Sequence, residues 1–182
     1  MFARVGPETT LPPVLAQASS ALALVLLIAS GVSKQLDPDP TTGAMQAARL
    51  PSSRLISRTL GLAEAAAGVT GLTFGGVWLS GATLLYASFF AFTAMAVRRR
   101  LPLQSCGCFG RDDTPPSALH VVFNGLSALA LGYLVAVDQN PVPWSDPPVQ
   151  VAVYLAFSLV GAYLAYLLLA QLPDTLQMAE KR

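Results

Sequence analysis

Charge is scarce in this chain: of its 182 residues only 12% are Asp, Glu, Lys or Arg, against about 25% in an average soluble domain. The 11 basic and 10 acidic residues leave a formal net charge of +1. That balance supplies no basic patch or stripe, which excludes nucleic acid as a partner. Histidine occurs once and cysteine twice, too few for a self-contained zinc cluster, so no metal site is expected from this chain alone. Hydrophobic residues fill the gap, at 53% of the chain, and they gather in runs of bilayer-spanning length. The expected fold is all-α: a polytopic membrane helical bundle of about five transmembrane helices, with residues 1–182 forming one integral membrane domain.

The spans are predicted near 14–32, 60–74, 77–97, 117–137 and 149–172. The first passes from Ala21 to Ala29 without a polar residue, and roughly 20 residues rising ~1.5 Å each cross a hydrocarbon core of about 30 Å. Arg4 and Glu8 ahead of it lack the basic character of a cleavable signal peptide, so this span reads as retained. Lys34, Asp37, Pro38, Asp39 and Pro40 form a polar, helix-breaking exit. A short interfacial helix is expected around Ala44 to Leu50, with membrane lipid as its neighbour.

From Thr59 to Val97 the chain is almost continuously apolar, about twice what one span needs. It must fold back, and Gly75-Gly76 is the expected turn because glycine accepts the dihedrals of a tight connection. The second span is rich in small residues, Gly61, Ala63, Ala65, Ala66, Ala67, Gly68 and Gly71. Small residues let backbones approach, so this helix is expected at the centre of the bundle and not against lipid. Ser117 is a natural cap for the fourth span. Pro141, Pro143, Pro147 and Pro148 mark a non-helical connection to the fifth, with Trp144 at interfacial depth.

Five spans put the termini on opposite sides and sort the basic residues unevenly. Lys34, Arg49, Arg54, Arg58, Arg98, Arg99, Arg100, Arg111, Lys181 and Arg182 fall on one side, and Arg4 alone on the other. By the positive-inside rule the crowded side is cytoplasmic, which predicts an outside N-terminus, a cytoplasmic C-terminus and a cytoplasmic loop around Cys106.

That loop carries the chemistry. Cys106 and Cys108 flank one glycine, a spacing that permits a strained and therefore labile local disulfide suited to exchange. The alternatives are inert loop thiols or half of a metal site. His120, the sole histidine, is close enough in sequence to accept a proton or, as a cation, to favour a thiolate, and Arg111 offers similar help. A plain interfacial histidine is the competing reading. Asn124 lies one helical turn beyond His120 on the same face, as packing glue or as a ligand holder. Glu64 is the sole acidic residue inside a span. Such a group needs a partner, with Lys34, His120 and Asn124 in reach, and it either handles protons in a redox step or ties helices together. The candidate catalytic set is Cys106, Cys108, His120 and Glu64.

Three features stand in a fixed order: Gly31-Val32-Ser33-Lys34 with Asp37-Pro38, Glu64 in a small-residue helix, and Cys106-Gly107-Cys108-Phe109-Gly110 ahead of a helix bearing Asn124. In this the chain resembles the methylamine utilisation protein MauE family, related in outline to the DoxX-like membrane proteins. The resemblance runs from about Val14 to Val137, and the Cys-Gly-Cys-Phe-Gly run is its most specific part. It implies a multi-span protein of the bacterial cytoplasmic membrane that assists disulfide formation or redox maturation of exported, cysteine-containing proteins with a thioredoxin-like partner. Two alternatives stay open: a non-enzymatic scaffold or partner-binding subunit, and a quinone-linked DoxX-like redox subunit. A quinone is the only cofactor either reading calls for.

Overall fold

The computed structural model describes residues 11–101, 103 and 115–180, with side chains described between 15 and 169 in those ranges. Cys106, Cys108 and Arg111 lie outside the described residues. Among the described residues there are six α-helices and no strand. They are α1 (Leu11–Leu36), α2 (Asp39–Ala47), α3 (Arg54–Phe74), α4 (Leu79–Arg98), α5 (Ala118–Ala136) and α6 (Pro148–Glu180), with a single 3-10 turn at Gly76–Trp78. Among the described residues, four helical stretches are long and apolar enough to cross a membrane, Leu15–Leu36, Gly76–Arg98, Ala118–Ala136 and Pro148–Leu169. The chain is a membrane protein.

Helix α3 is the fifth long helix, at 21 residues. Arg54, Arg58, Glu64 and its many small residues keep it below the hydropathy of the other four. Its registry with α1 is antiparallel: Gly61 meets Gly31 and Lys34, Gly68 meets Ile28, and Gly71 meets Leu24. The fit leaves no room for side chains, since a Cβ at Gly61 would lie 2.7 Å from the Lys34 Cβ and one at Gly68 would lie 2.5 Å from Ile28 Cγ1. Only one face of α3 is used in this way. Leu62, Val69 and Phe74 point outward, so the helix is peripheral and not central as its composition suggested. It also starts at Arg54, a turn and a half ahead of Leu60, capped by the Ser53 hydroxyl, which accepts from the Ile56 N–H at 3.1 Å.

The polar exit from α1 is also more ordered than a loop. Pro38 is the N-cap of α2 and Pro40 sits in its first turn, where the missing N–H breaks no intrahelical bond. The short helix therefore spans 39–47, earlier than the expected Ala44 to Leu50. Gly75 and Gly76 form the connection between α3 and α4 with φ of +61° and +52°, the left-handed region that glycine enters without penalty.

Helix α1 lies against α3, α5 and α6, and α4 against α3 and α5. The main core joins Ala23, Leu24 and Leu27 of α1 to Leu79, Ala82 and Tyr86 of α4 and Leu131 and Leu134 of α5. Helix α6 touches this core least and turns Val149, Val153, Phe157, Val160 and Leu164 outward, as a helix does when lipid covers the rest of its surface.

The end of the bundle away from the arginines is tied by hydrogen bonds between elements. Trp144 Nε1 donates to the Leu72 carbonyl at 2.9 Å, Tyr154 to Pro141 at 2.8 Å and Gln17 to Asn140 at 3.2 Å. The Gly76 N–H adds a bond to the Gln139 carbonyl at 3.4 Å.

Candidate functional site

Ser30 and Lys34 are four residues apart on α1 and so share a face. Glu64 comes to that face from α3 because Gly61 and Gly68 let the two backbones close on either side of it. Lys34 Nζ lies 2.9 Å from Glu64 Oε2 and donates to Ser30 Oγ at 2.6 Å, while Ser30 Oγ donates to the same Glu64 oxygen at 2.8 Å. Both charged side chains are removed from solvent, with Lys34 1% and Glu64 0% exposed. Two opposite charges at this depth are tolerable because each is paired and hydrogen-bonded. The Lys34 ammonium also stands 6.0 Å from the centre of the Phe89 ring, within cation–π range.

His120 and Asn124 approach from α5. Both are buried and border a small cavity shared with Ser30, Tyr86, Phe89 and Phe123. Tyr86 is fixed there by its hydroxyl, which donates to the Ala23 carbonyl at 2.6 Å. Its ring meets Phe89 and Phe123 edge-on, both at 6.2 Å between centroids. His120 occupies the third position of the α5 capping box, and its Nδ1 accepts the Ser117 backbone N–H at 3.3 Å. The other ring nitrogen, Nε2, is buried, and among the described residues it has no hydrogen-bond partner; the same holds for Glu64 Oε1.

On the far side of Lys34 a cleft of about 280 Å³ opens between α1, α2, α3 and α4, lined by Phe89, Phe92, Leu85, Leu60 and Met45. Among the described residues, Lys34 is the single charged one on its wall.

Of the residues singled out in the sequence, Glu64 is thus joined to Lys34, while His120 and Asn124 are brought to one cavity without bonding to Glu64. His120 turns into the bundle and caps its own helix. Ser30 and the Tyr86, Phe89 and Phe123 rings were not anticipated. The i, i+4 spacing of Ser30 and Lys34 was the available signal for Ser30; aromatic residues in a span carry no such mark.

The segment carrying Cys106 and Cys108 departs after Leu103, which is buried against Ala44 and Ala96. It returns before Ser117, at the start of α5. Both attachments are at the end of the bundle that holds Lys34, Glu64 and His120. The family model described as methylamine utilisation protein MauE matches residues 12–137. The chain belongs to the MauE family. The matched stretch covers α1 to α5 and includes Lys34, Glu64, both cysteines, His120 and Asn124. Neither a curated protein nor a solved structure shows a significant match to the chain.

Proposed function

We propose that this MauE-family protein is a membrane thiol–disulfide redox protein, acting in the redox maturation of partner proteins for methylamine utilisation through Cys106 and Cys108. The observation that carries the reading is a buried, acid–base-capable cluster of Lys34, Glu64 and Ser30. It sits at the end of the bundle where the cysteine-bearing segment leaves α4 and rejoins α5. Oxidising a dithiol releases two electrons and two protons, and a buried carboxylate with its lysine is suited to take part in the proton traffic.

In the exchange itself, a thiolate of a reduced thioredoxin-like partner attacks the Cys106–Cys108 disulfide, forming a mixed disulfide and releasing one of the two cysteines as a thiolate. The partner's second thiol then attacks the mixed bond, leaving the partner oxidised and Cys106 and Cys108 as a dithiol to be reoxidised. The positive-inside rule assigns this segment to the cytoplasmic face of a bacterial cytoplasmic membrane. An exported substrate would then require a second redox carrier to complete the path across the bilayer.

The cleft beside Lys34 favours a quinone as that carrier. Its volume of about 280 Å³ falls just under the roughly 300–1,000 Å³ of small-molecule sites, enough for a ring headgroup, and such sites are mostly apolar with few polar groups. A quinone accepting two electrons and two protons becomes a quinol, which balances the oxidation of one dithiol.

Thiol trapping in native membranes tests the proposal. Wild-type protein should switch between dithiol and disulfide with added reductant, and added quinone should drive the oxidised form. Replacing either cysteine with Ser should abolish turnover while leaving membrane insertion intact, and one single variant should accumulate a mixed disulfide with a thioredoxin-like protein. Full function in Cys106→Ser/Cys108→Ser would leave the scaffold reading in its place.

A further inference from the structure

The cavity between α1, α4 and α5 is small, about 20 Å³, and a single water needs about 10–15 Å³ together with two to four polar partners. Four side chains with polar atoms line it: His120, Asn124, Ser30 and Tyr86, the last with its hydroxyl turned to the Ala23 carbonyl. The tautomer of the neutral His120 ring follows from the contacts of Nδ1, which lies 3.0 Å from Ser117 Oγ. Nδ1 accepts the Ser117 N–H, so the neutral ring carries its hydrogen on Nε2. That N–H donor is buried without a partner among the described residues, and a buried donor left unmatched costs about 1–3 kcal/mol. The remaining walls of the cavity are aromatic or aliphatic, Phe89, Phe123, Leu26 and Leu27 among them.

We propose that this cavity holds one water molecule, bound by His120 Nε2–H, Asn124 and Ser30, and that the water links the α5 capping box to Glu64. Ser30 already donates to Glu64 Oε2, so the linked groups run Ser117, His120, water, Ser30, Glu64. The transfer balances as a one-proton relay. A proton arrives at His120 Nδ1 as the Ser117 N–H bond yields. The Nε2 proton passes to the water, a water proton passes to Ser30 Oγ, and the Ser30 hydroxyl proton passes to the Glu64 carboxylate. The water site stands on geometry alone; its use for protons released by thiols rests on the redox reading above.

Because His120 is the single histidine of the chain, histidine-selective 15N labelling in bilayers reports one imidazole. Magnetisation transfer from water to its ring N–H should be seen, with the hydrogen on Nε2, in the wild type and equally in Cys106→Ser/Cys108→Ser. The double variant separates the site from the chemistry of the cysteines. Asn124→Leu, which replaces a polar wall by an apolar one of similar size, should lose the transfer while keeping the Nε2–H form. If that variant fails to insert, Ser30→Ala should weaken the same signal. A dry imidazole in the wild type, a hydrogen on Nδ1, or unchanged transfer in both variants would overturn the water site. Where wild-type thiols turn over, Asn124→Leu should slow them severalfold, and an unchanged rate would overturn the relay. A wild type without thiol turnover but with the water signal would overturn the redox reading alone.

Discussion

Lys34 is a lysine with almost no contact with solvent, and its stability depends on keeping Glu64. Removing one member of a buried ion pair leaves the other uncompensated, which typically costs about 3–5 kcal/mol. Glu64→Gln and Lys34→Ala should each lower resistance to denaturation in detergent by an amount in that range. Lys34→Met with Glu64→Leu should recover most of the loss, because it removes both charges together. Unfolding curves of the two single variants and the pair would check this, and strictly additive losses would show that the two groups act independently. The importance of Glu64 was legible in the sequence because an acid inside a span stands out. Its partner was narrowed to three residues and no further, since choosing among them requires the registry of α1 against α3. Ser30 was invisible for a related reason: serines in membrane helices commonly bond their own backbone, and only the approach of a second helix gives this one a separate task. The cysteines were singled out by their spacing and by the Cys-Gly-Cys-Phe-Gly run, and they lie outside the described residues.

The pairing of α1 with α3 is made by glycines, and the expected cost of filling them is specific to position. Gly68→Leu must displace Ile28 and the Leu24 carbonyl, which lies 3.0 Å from where a Cβ would be. Overpacking of this kind costs about 1–3 kcal/mol. Gly43→Ala in α2 meets nothing within 4 Å, and by helix propensity it should be neutral or stabilise by roughly 0.5–1 kcal/mol. Thermal denaturation of the purified variants distinguishes them; equal effects at the two sites would refute the close-packed seam. Composition announced this seam but misjudged what lay around it. Gly61, Glu64, Gly68 and Gly71 share one face of α3, while Leu55, Leu62 and Val69 share the other, so small residues were needed on one side only. The α2 boundary was misplaced because Pro38 and Pro40 read as helix breakers, whereas at a helix start proline is well tolerated.

Across the whole molecule, antiparallel pairing of α1 with α3 and of α4 with α5 brings the arginine-bearing ends together. The orientation expected from the positive-inside rule, N-terminus outside and C-terminus inside, is testable with compartment-specific reporters fused at Gln139 and after Arg182. They should report opposite sides of the membrane, the first outside and the second cytoplasmic. Both in one compartment would break the five-span arrangement, and reversed compartments would break the charge assignment.

Hydrogen bonds between elements close the bundle at its opposite end as well. Trp144, Tyr154, Gln17 and the Gly76 amide bind α1, α3, α6 and their connections into one proline-rich knot. At the arginine-rich end, Gln35 Nε2 donates to the Arg58 carbonyl at 2.6 Å, Thr42 and Ser57 share a hydrogen bond at 2.8 Å and the buried Lys34–Glu64 pair joins α1 to α3, beside the exposed and therefore weak Arg54–Asp39 pair. A bundle tied at both ends is a stiff frame, and the cysteine-bearing segment hangs from it at two fixed roots, one after α4 and one before α5, on the side where Lys34 meets Glu64.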